Sequence, residues 1–401
     1  MNIQISPAKA AGTISAPPSK SMAHRLLIAA GLSCGTSKIH GLAPSEDILA
    51  TIDCLKALGA KVTLENDTAT VIGTNPKQSN GETILPCRES GSTLRFFLPL
   101  CLLSCETHTL TGYGRLLQRP QEVYQTLCQK QGLSFSQDQE KILVKGPLTG
   151  GDYTLPGNIS SQFITGLLYA LPLTQRESTI TLIPPVESRS YINLTLSALK
   201  TFGIEANWVN DTMLSVKPGN YHPTETTVEG DYSNAAFLDA LALLGGSLTV
   251  TGLNPNSLQG DKVYQEGFLA LSKPNATLSL ADCPDLGPIY MAIAAAMQGA
   301  TFTNTARLKI KESNRGAAMA QELQKFGIQT TLEENTIVVH PGLLTAPTEL
   351  LNGHNDHRIV MALATLCTIT GGTITQAQAV AKSFPDYFQV LTSLGIPLKE
   401  V

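Results

Sequence analysis

No run of apolar residues in this 401-residue chain approaches the roughly 18 that a membrane-spanning helix needs, which excludes a helical membrane protein. The segment Met1 to Gly12 lacks the basic start and apolar centre of a secretory signal. The eight cysteines form no Cys-x-x-Cys pair; the closest two, Cys101 and Cys105, lie in a helical, apolar context. Buried, reduced thiols and a cytoplasmic location are the expectation. The seven histidines show neither His-x-His nor His-x-x-x-His spacing, so no metal site is expected. Acidic residues outnumber basic ones, 32 to 28, and the net charge of -4 argues against a nucleic-acid protein. Nucleotide motifs are missing as well. PPSKS lacks the spacing of a P-loop, no Gly-x-Gly-x-x-Gly follows a first strand, and no Gly-x-Ser-x-Gly elbow is present.

What the chain does have is self-similarity. A helical run ending in Gly and followed by a strand-like run reads LKALGAKV at Leu55, CQKQGLSF at Cys128 and LKTFGIEA at Leu199. It returns as LQKFGIQT at Leu323 and LTSLGIPL at Leu391. Gly59, Gly132 and Gly203 lie about 70 residues apart, as do Gly327 and Gly395, which is a repeat period. LALSKPNATLSLADC, from Leu269, reads as a further unit that has lost its Gly. A second phrase interleaves: an apolar helix, a small-residue break and a strand, as in LALLGGSLTVTGL from Leu241. About six supersecondary blocks result, and 401 residues exceed one ordinary core. The expectation is an α/β protein of two similar domains with three blocks each. Differing charged insertions favour closed domains over a solenoid. The exchange between domains is expected near Thr13 to Ser19 and Tyr221 to Asp231, giving residues 1–14 plus 230–401 and residues 15–229.

Helix starts are expected near Ser19, Ser90, Ser160, Ser190, Asp231, Asp285, Ser313, Asp356 and Asp386, most of them at good N-cap types. The cations cluster at such starts. Lys20, Arg25, Arg119, Arg189, Lys311, Arg315, Arg358 and Lys382 each sit in a short motif with Ser, Gly, Pro, Asp or Glu. A helix start offers unpaired N–H groups and a positive dipole end, and Lys or Arg completes a site for phosphate or carboxylate. A capped helix with a solvated cation explains any one motif. Several at equivalent places in a repeating chain favour convergence on one polyanionic cleft.

Ten landmarks then follow in order: PPSKSMAHR from Pro17, ESGSTLR from Glu89, QRP from Gln118, GNISSQF from Gly157, ESRSYI from Glu187, EGDYSNAAF from Glu229, CPDL from Cys283, KESNR from Lys311, NDHR from Asn355 and AKSFPDYF from Ala381. In these the chain resembles the enolpyruvyl transferases, over nearly its whole length, and within them the branch whose acceptor is shikimate 3-phosphate. The resemblance implies two domains, each of three βαβαββ units about a pseudo-threefold axis, an inside-out α/β barrel with helix N-termini facing an interdomain cleft. It implies addition of the 5-hydroxyl of shikimate 3-phosphate to phosphoenolpyruvate, then loss of phosphate from a tetrahedral intermediate, in aromatic amino-acid biosynthesis. It implies no cofactor and no metal; the partners are the two small substrates, with no nucleic acid or membrane, and the expected state is a monomer.

Carried over by motif, Lys20, Ser21, Arg25, Ser160, Ser161, Gln162, Ser188, Tyr191, Asp285 and Lys311 are implied as ligands of shikimate 3-phosphate. Lys20, Gly91, Ser92, Arg119, Gln162, Arg315, Arg358 and Lys382 are implied for phosphoenolpyruvate. Asp285 resembles the carboxylate that takes the hydroxyl proton and Glu312 the residue that handles the methylene proton, with Lys20 as catalytic partner. Read without the resemblance, Asp285 is a helix N-cap and Glu312 a surface ion-pair partner of Arg315. His357 fits either a phosphate contact or a helix cap. Three positions depart from the usual pattern: Glu89 and Arg307 where Asn is common, and Asn314 where Asp is usual. Gly114 stands where the sugar-nucleotide branch carries a Cys, which favours the shikimate branch.

Overall fold

The recurring glycine is a backbone device. In the computed structural model, which describes residues 1–78 and 81–401, it follows helices Glu46–Ala57, Glu122–Gln131, Arg189–Thr201, Arg315–Lys325 and Tyr387–Ser393. Gly59, Gly132, Gly203, Gly327 and Gly395 have φ of 101°, 68°, 80°, 81° and 86°, the left-handed region that ends a helix without a Cβ clash. The block that lacks the glycine is built differently. Between helix Tyr264–Leu271 and strand Ala276–Ser279, Asn275 takes φ 57°. Asn tolerates this region better than other non-Gly residues, but it stands four residues past the helix, and the chain passes straight into a parallel strand without the antiparallel hairpin of the other blocks.

Each glycine phrase leads into a sheet of fixed design. Asp152–Pro156 runs parallel to Ser178–Ile183, which pairs antiparallel with Met213–Val216, which pairs antiparallel with Ala206–Asn210. Thr83–Pro86, Thr107–Thr111, Lys141–Lys145 and Ser134–Gln137 repeat that order. So do Ala276–Ser279, Ala300–Thr303, Thr336–Val339 and Thr330–Leu332. A fourth sheet borrows Glu225–Thr227 as its parallel member beside Thr36–His40, Thr68–Ile72 and Lys61–Glu65. In the fifth, the N-terminal strand Ile3–Ile5 lies between Gly372–Thr375 and Leu398–Glu400, with Leu351–Asn352 outermost. The sixth is reduced to the parallel pair Ala11–Ser15 and Ser247–Thr251.

The chain divides into a split unit, Met1–Ser19 with Glu229–Val401, and a continuous unit, Lys20–Val228. Among the described residues, each holds three of the six sheets and its own core. Strands alternate buried and exposed residues, whereas helices such as Gly287–Ala296 and His357–Thr370 are buried almost end to end. Helices apolar on all sides belong inside, so within each unit they form the interior and the sheets cover them. No helix among the described residues is long and apolar enough to cross a membrane.

Three expected helix starts move. Asp285 does not cap a helix; it lies in the 3-10 turn Pro284–Leu286 ahead of Gly287–Ala296. Asn314 rather than Ser313 caps Arg315–Lys325, and Ser188 rather than Ser190 precedes Arg189–Thr201. Nor are all the thiols buried: Cys34 and Cys105 are exposed, the latter because it follows the end of helix Gly91–Cys101.

Candidate active site

In the continuous unit the candidate residues stand at the starts of four helices. Lys20 opens Lys20–Gly31, and its Nζ donates to Asp47 at 2.8 Å. Arg25, one turn on, is 3% exposed. Its guanidinium donates to the Ser21 carbonyl at 2.7 Å, the Tyr191 carbonyl at 3.0 Å and Thr195 Oγ1 at 3.0 Å. It also lies 5.5 Å from the Phe96 ring centroid. Burial lowers its pKa from the usual arginine value, with partial compensation from Tyr169 and Tyr191.

Gly91 opens the second helix behind Ser90, whose side chain accepts from the Thr93 N–H. Arg119 lies across this start so closely that a Cβ on Gly91 would sit 2.2 Å from its Nη1. Gln162, near the start of Ser161–Ala170, joins the second and third helices. Its Oε1 accepts from Arg95 at 2.8 Å and its Nε2 donates to Ser92 at 2.9 Å. Ser160 caps the third helix by accepting from the Gln162 N–H at 3.3 Å. Ser188, before the fourth, holds a left-handed φ of 54° and makes no side-chain cap bond. For a serine that conformation is uncommon, and such strain gathers at functional sites. Arg189 takes a different course from the other cations: its guanidinium stacks 3.9 Å from the Trp208 ring and donates to the Asp211 carbonyl at 2.8 Å.

In the split unit one arginine organises three carboxylates. Arg315, 1% exposed, donates from Nη1 to Asp285 at 2.8 Å, from Nη2 to Glu312 at 2.6 Å and from Nε to Asp356 at 2.8 Å. Lys311 Nζ lies 3.1 Å from Asp285 Oδ1, and Arg358 Nη2 lies 3.2 Å from its Oδ2. Burial alone would raise the Asp285 pKa. Arg358, Lys311 and Arg315 overcome it and hold the carboxyl well below the usual range. Lys311 is lowered from its usual value, burial outweighing the attraction of Asp285. Arg315 is pushed up: its burial is outweighed by Asp356, Glu312 and Asp285. Lys382 Nζ donates to the Asn355 carbonyl at 2.6 Å. Glu312 thus pairs with Arg315, but in a nearly buried cluster and not on an open surface.

The departures acquire local roles. Asn314 Oδ1 accepts from the Ala317 N–H at 3.3 Å, a capping task that Asn and Asp perform equally well. Glu89 faces Gly114; a Cβ there would sit 1.7 Å from Glu89 Oε1, so this turn has no room for a cysteine as Glu89 stands. Arg307, 8% exposed, donates to the Ala281 carbonyl and adds its charge beside Lys311. Asp356 caps His357–Thr370, so capping does not explain His357, the first residue of that helix.

Sequence reading missed the carboxylates Asp47 and Asp261, and took Asp356 only as a helix start. Asp261, 3% exposed, accepts from Ser233 Oγ. Burial, together with the charge of Asp285, pushes its pKa up to about 6. The available signals were QGD after a strand and the Asp within NDHR. The first reads as a loop and the second as a helix cap until the fold brings them to the cations.

Six repeated blocks with basic side chains and carboxylates at helix starts define an α/β class suited to small, multiply charged anions. The chain belongs to the EPSP synthase (3-phosphoshikimate 1-carboxyvinyltransferase) family, whose sequence model matches residues 5–391. A 3-phosphoshikimate 1-carboxyvinyltransferase of Clostridium kluyveri is 36% identical over 427 residues, covering 99% of this chain and 98% of the relative. One of Clostridium perfringens is 36% identical over 423 residues, covering 98% of each. Among solved structures, EPSP synthase of Acinetobacter baumannii superposes over 100% of both chains with a TM-score of 0.78 at 21% identity, a likeness of fold.

Proposed function

We infer that this chain transfers the enolpyruvyl group of phosphoenolpyruvate to the 5-hydroxyl of shikimate 3-phosphate, releasing phosphate. The observation that carries this reading is Asp285 held by Lys311, Arg315 and Arg358, in a chain whose family is defined by that reaction. Two phosphates and two carboxylates must leave water together. Without paired cations the cost of desolvating them is prohibitive.

The acceptor falls to Ser21, Arg25, Ser160, Ser161, Gln162, Ser188 and Tyr191, with Lys20 and Lys311 beside it. The donor falls to Gly91, Ser92, Arg119, Arg315, Arg358 and Lys382, with Lys20 and Gln162 shared. Asp285 takes the proton of the 5-hydroxyl as its oxygen bonds to the enol carbon. Glu312, assisted by Lys20, delivers a proton to the methylene carbon and later removes one as the carbon–oxygen bond to phosphate breaks. Arg315 meets the donor with what its three carboxylates leave; its larger part is to hold Asp285 and Glu312 in place. The cations make Asp285 a weak base in the empty protein. Substrate anions offset those cations, so basicity rises when there is a hydroxyl to deprotonate. All assigned residues come from one chain, and no nucleic acid or membrane enters.

Phosphate release from phosphoenolpyruvate, measured with and without shikimate 3-phosphate, tests the reading. Release that depends on the acceptor is expected. Release with UDP-N-acetylglucosamine in its place, or none with either, overturns it.

A further inference from the structure

A line of buried polar groups crosses the continuous unit. His24 Nδ1 lies 2.7 Å from Thr51 Oγ1, which lies 2.9 Å from Thr93 Oγ1. Thr93 Oγ1 donates to Ser90 Oγ at 2.8 Å, and the Thr93 N–H donates to the same oxygen at 3.2 Å. None of the four residues is more than 1% exposed. They come from helices Lys20–Gly31 and Glu46–Ala57 and from the start of Gly91–Cys101. A second tie runs alongside: Asp47 holds Lys20 by its carboxylate, and its carbonyl lies 3.5 Å from Thr93 Oγ1. Thr93 has one hydroxyl hydrogen, and the shorter bond to Ser90 claims it.

The line has a direction. Burial, then the charges of Lys20 and Arg25, lower the His24 pKa well below the usual value, so the ring is neutral. Its Nε2 is buried without a hydrogen-bond partner among the described residues. A proton on Nε2 would strand a donor in the field of two cations; a proton on Nδ1 leaves a lone pair there, which that field favours. The hydrogens therefore run from His24 to Thr51, to Thr93, to Ser90. Ser90 accepts twice, and its own hydrogen is left at the helix start beside Gly91.

We propose that His24, Thr51, Thr93 and Ser90 form a one-way relay that positions the Gly91 turn, with Arg119 across it, against the Lys20 helix, and so sets affinity for the carboxylate- and phosphate-bearing donor. The proposal rests on the donor assignment above. The four act as positioning residues; buried as they are, their effect passes through Gly91, Ser92 and Arg119. Threonine suits the two middle places because its hydroxyl both accepts and donates, while its methyl packs in the apolar core.

Thr51→Val keeps the shape and removes the hydroxyl; Thr51→Ser restores it. With the valine the KM for phosphoenolpyruvate should rise about fivefold to tenfold, the loss of one net hydrogen bond, while the KM for shikimate 3-phosphate and kcat stay within about twofold. The serine should return the donor KM towards the parent. An unchanged donor KM, a parallel rise in both KM values, or failure of the serine overturns the relay. Should Thr51→Val not fold, Thr93→Val is put to the same criteria. Nitrogen-15 NMR of the parent gives an independent reading: a protonated Nδ1 on His24 is expected, and a protonated Nε2 overturns the stated direction. A parent without acceptor-dependent phosphate release refutes the functional reading, and the relay is then decided by the NMR result. An active parent with a normal Thr51→Val refutes the relay alone.

Discussion

Arg315 Nε and Asp356 Oδ2 form a 2.8 Å ion pair between side chains that are 1% and 0% exposed. Asp356 also accepts from Ser313 Oγ at 3.0 Å and from the Arg358 N–H at 3.0 Å. One carboxylate thus fixes the arginine that holds Asp285 and Glu312, and it starts the helix that carries Arg358. Its partner's charge is essential in such a place. Arg315→Met should destabilise the protein by about 3–5 kcal/mol, because it leaves Asp356 buried and uncompensated. Arg315→Lys keeps the charge but reaches one carboxylate where the guanidinium reaches three. It should fold and lose most turnover. Denaturant unfolding beside steady-state kinetics checks both, and a lysine variant with parental kcat would show that the fork geometry is dispensable.

At Gly91 the obstacle to a side chain is Arg119. A Cβ would stand 2.2 Å from Nη1 and 2.6 Å from Cζ, so Gly91→Ala must push the guanidinium aside. The far end of a long side chain moves at little cost, so stability should change by less than about 1 kcal/mol. The donor KM should rise about tenfold or more, since the displaced cation is one of its assigned ligands. The acceptor KM should hold. Equal effects on both substrates would place Arg119 elsewhere in the reaction.

The fold was legible where one residue type does one local job. The helix-ending glycines announced the blocks, and the block without one also lacks the hairpin such a glycine leads into. Helix starts at Ser90, Ser160, Asp231 and Asp356 were legible because N-capping is chemistry within one turn. The site was legible in part. Lys20, Arg25 and Arg315 sit in motifs, but motif position does not say where a long side chain ends. Arg189 shares its setting with the others and goes to Trp208 and Asp211. The cation partners of Asp47, Asp261 and Asp356 were illegible for the converse reason. A carboxylate matters here for the cation it meets, and those meetings join distant parts of the chain.

Asp261 should make stability depend on pH in a recognisable way. Its folded pKa, about 6, lies above the ordinary aspartate value, because burial and the neighbouring charge of Asp285 disfavour ionisation, with Arg358 and Ser233 opposing. A group raised in the folded state contributes stability at pH below its unfolded pKa and loses it as pH rises through the folded one. Asp261→Asn keeps an acceptor for Ser233 and cannot ionise. Relative to the parent, the variant should gain stability between pH 4 and pH 7, the window set by the two pKa values, by about 2 kcal/mol. Unfolding at the two pH values measures the difference. A pH-independent difference would mean that Asp261 does not titrate in this range.

Asp285 and Glu312 provide the sharpest separation of binding from chemistry. Both are assigned to proton transfer, and such groups contribute about 10² to 10⁴ in rate. Neither attracts an anion. Asp285 in particular occupies Lys311, Arg315 and Arg358, so its removal frees positive charge for the substrates. Asp285→Ala should therefore bind shikimate 3-phosphate at least as tightly as the parent while losing at least about 100-fold in turnover. Glu312→Ala should also keep its affinity for the acceptor and lose turnover. Lys20→Ala differs in kind: the lysine supplies charge in the ground state and the transition state, so affinity and rate should fall together. Calorimetric affinity for shikimate 3-phosphate, set beside phosphate release for all three variants, tests the division. If either carboxylate variant kept near-parental turnover, that carboxylate would revert to a structural partner of Arg315, and the proton would need another carrier.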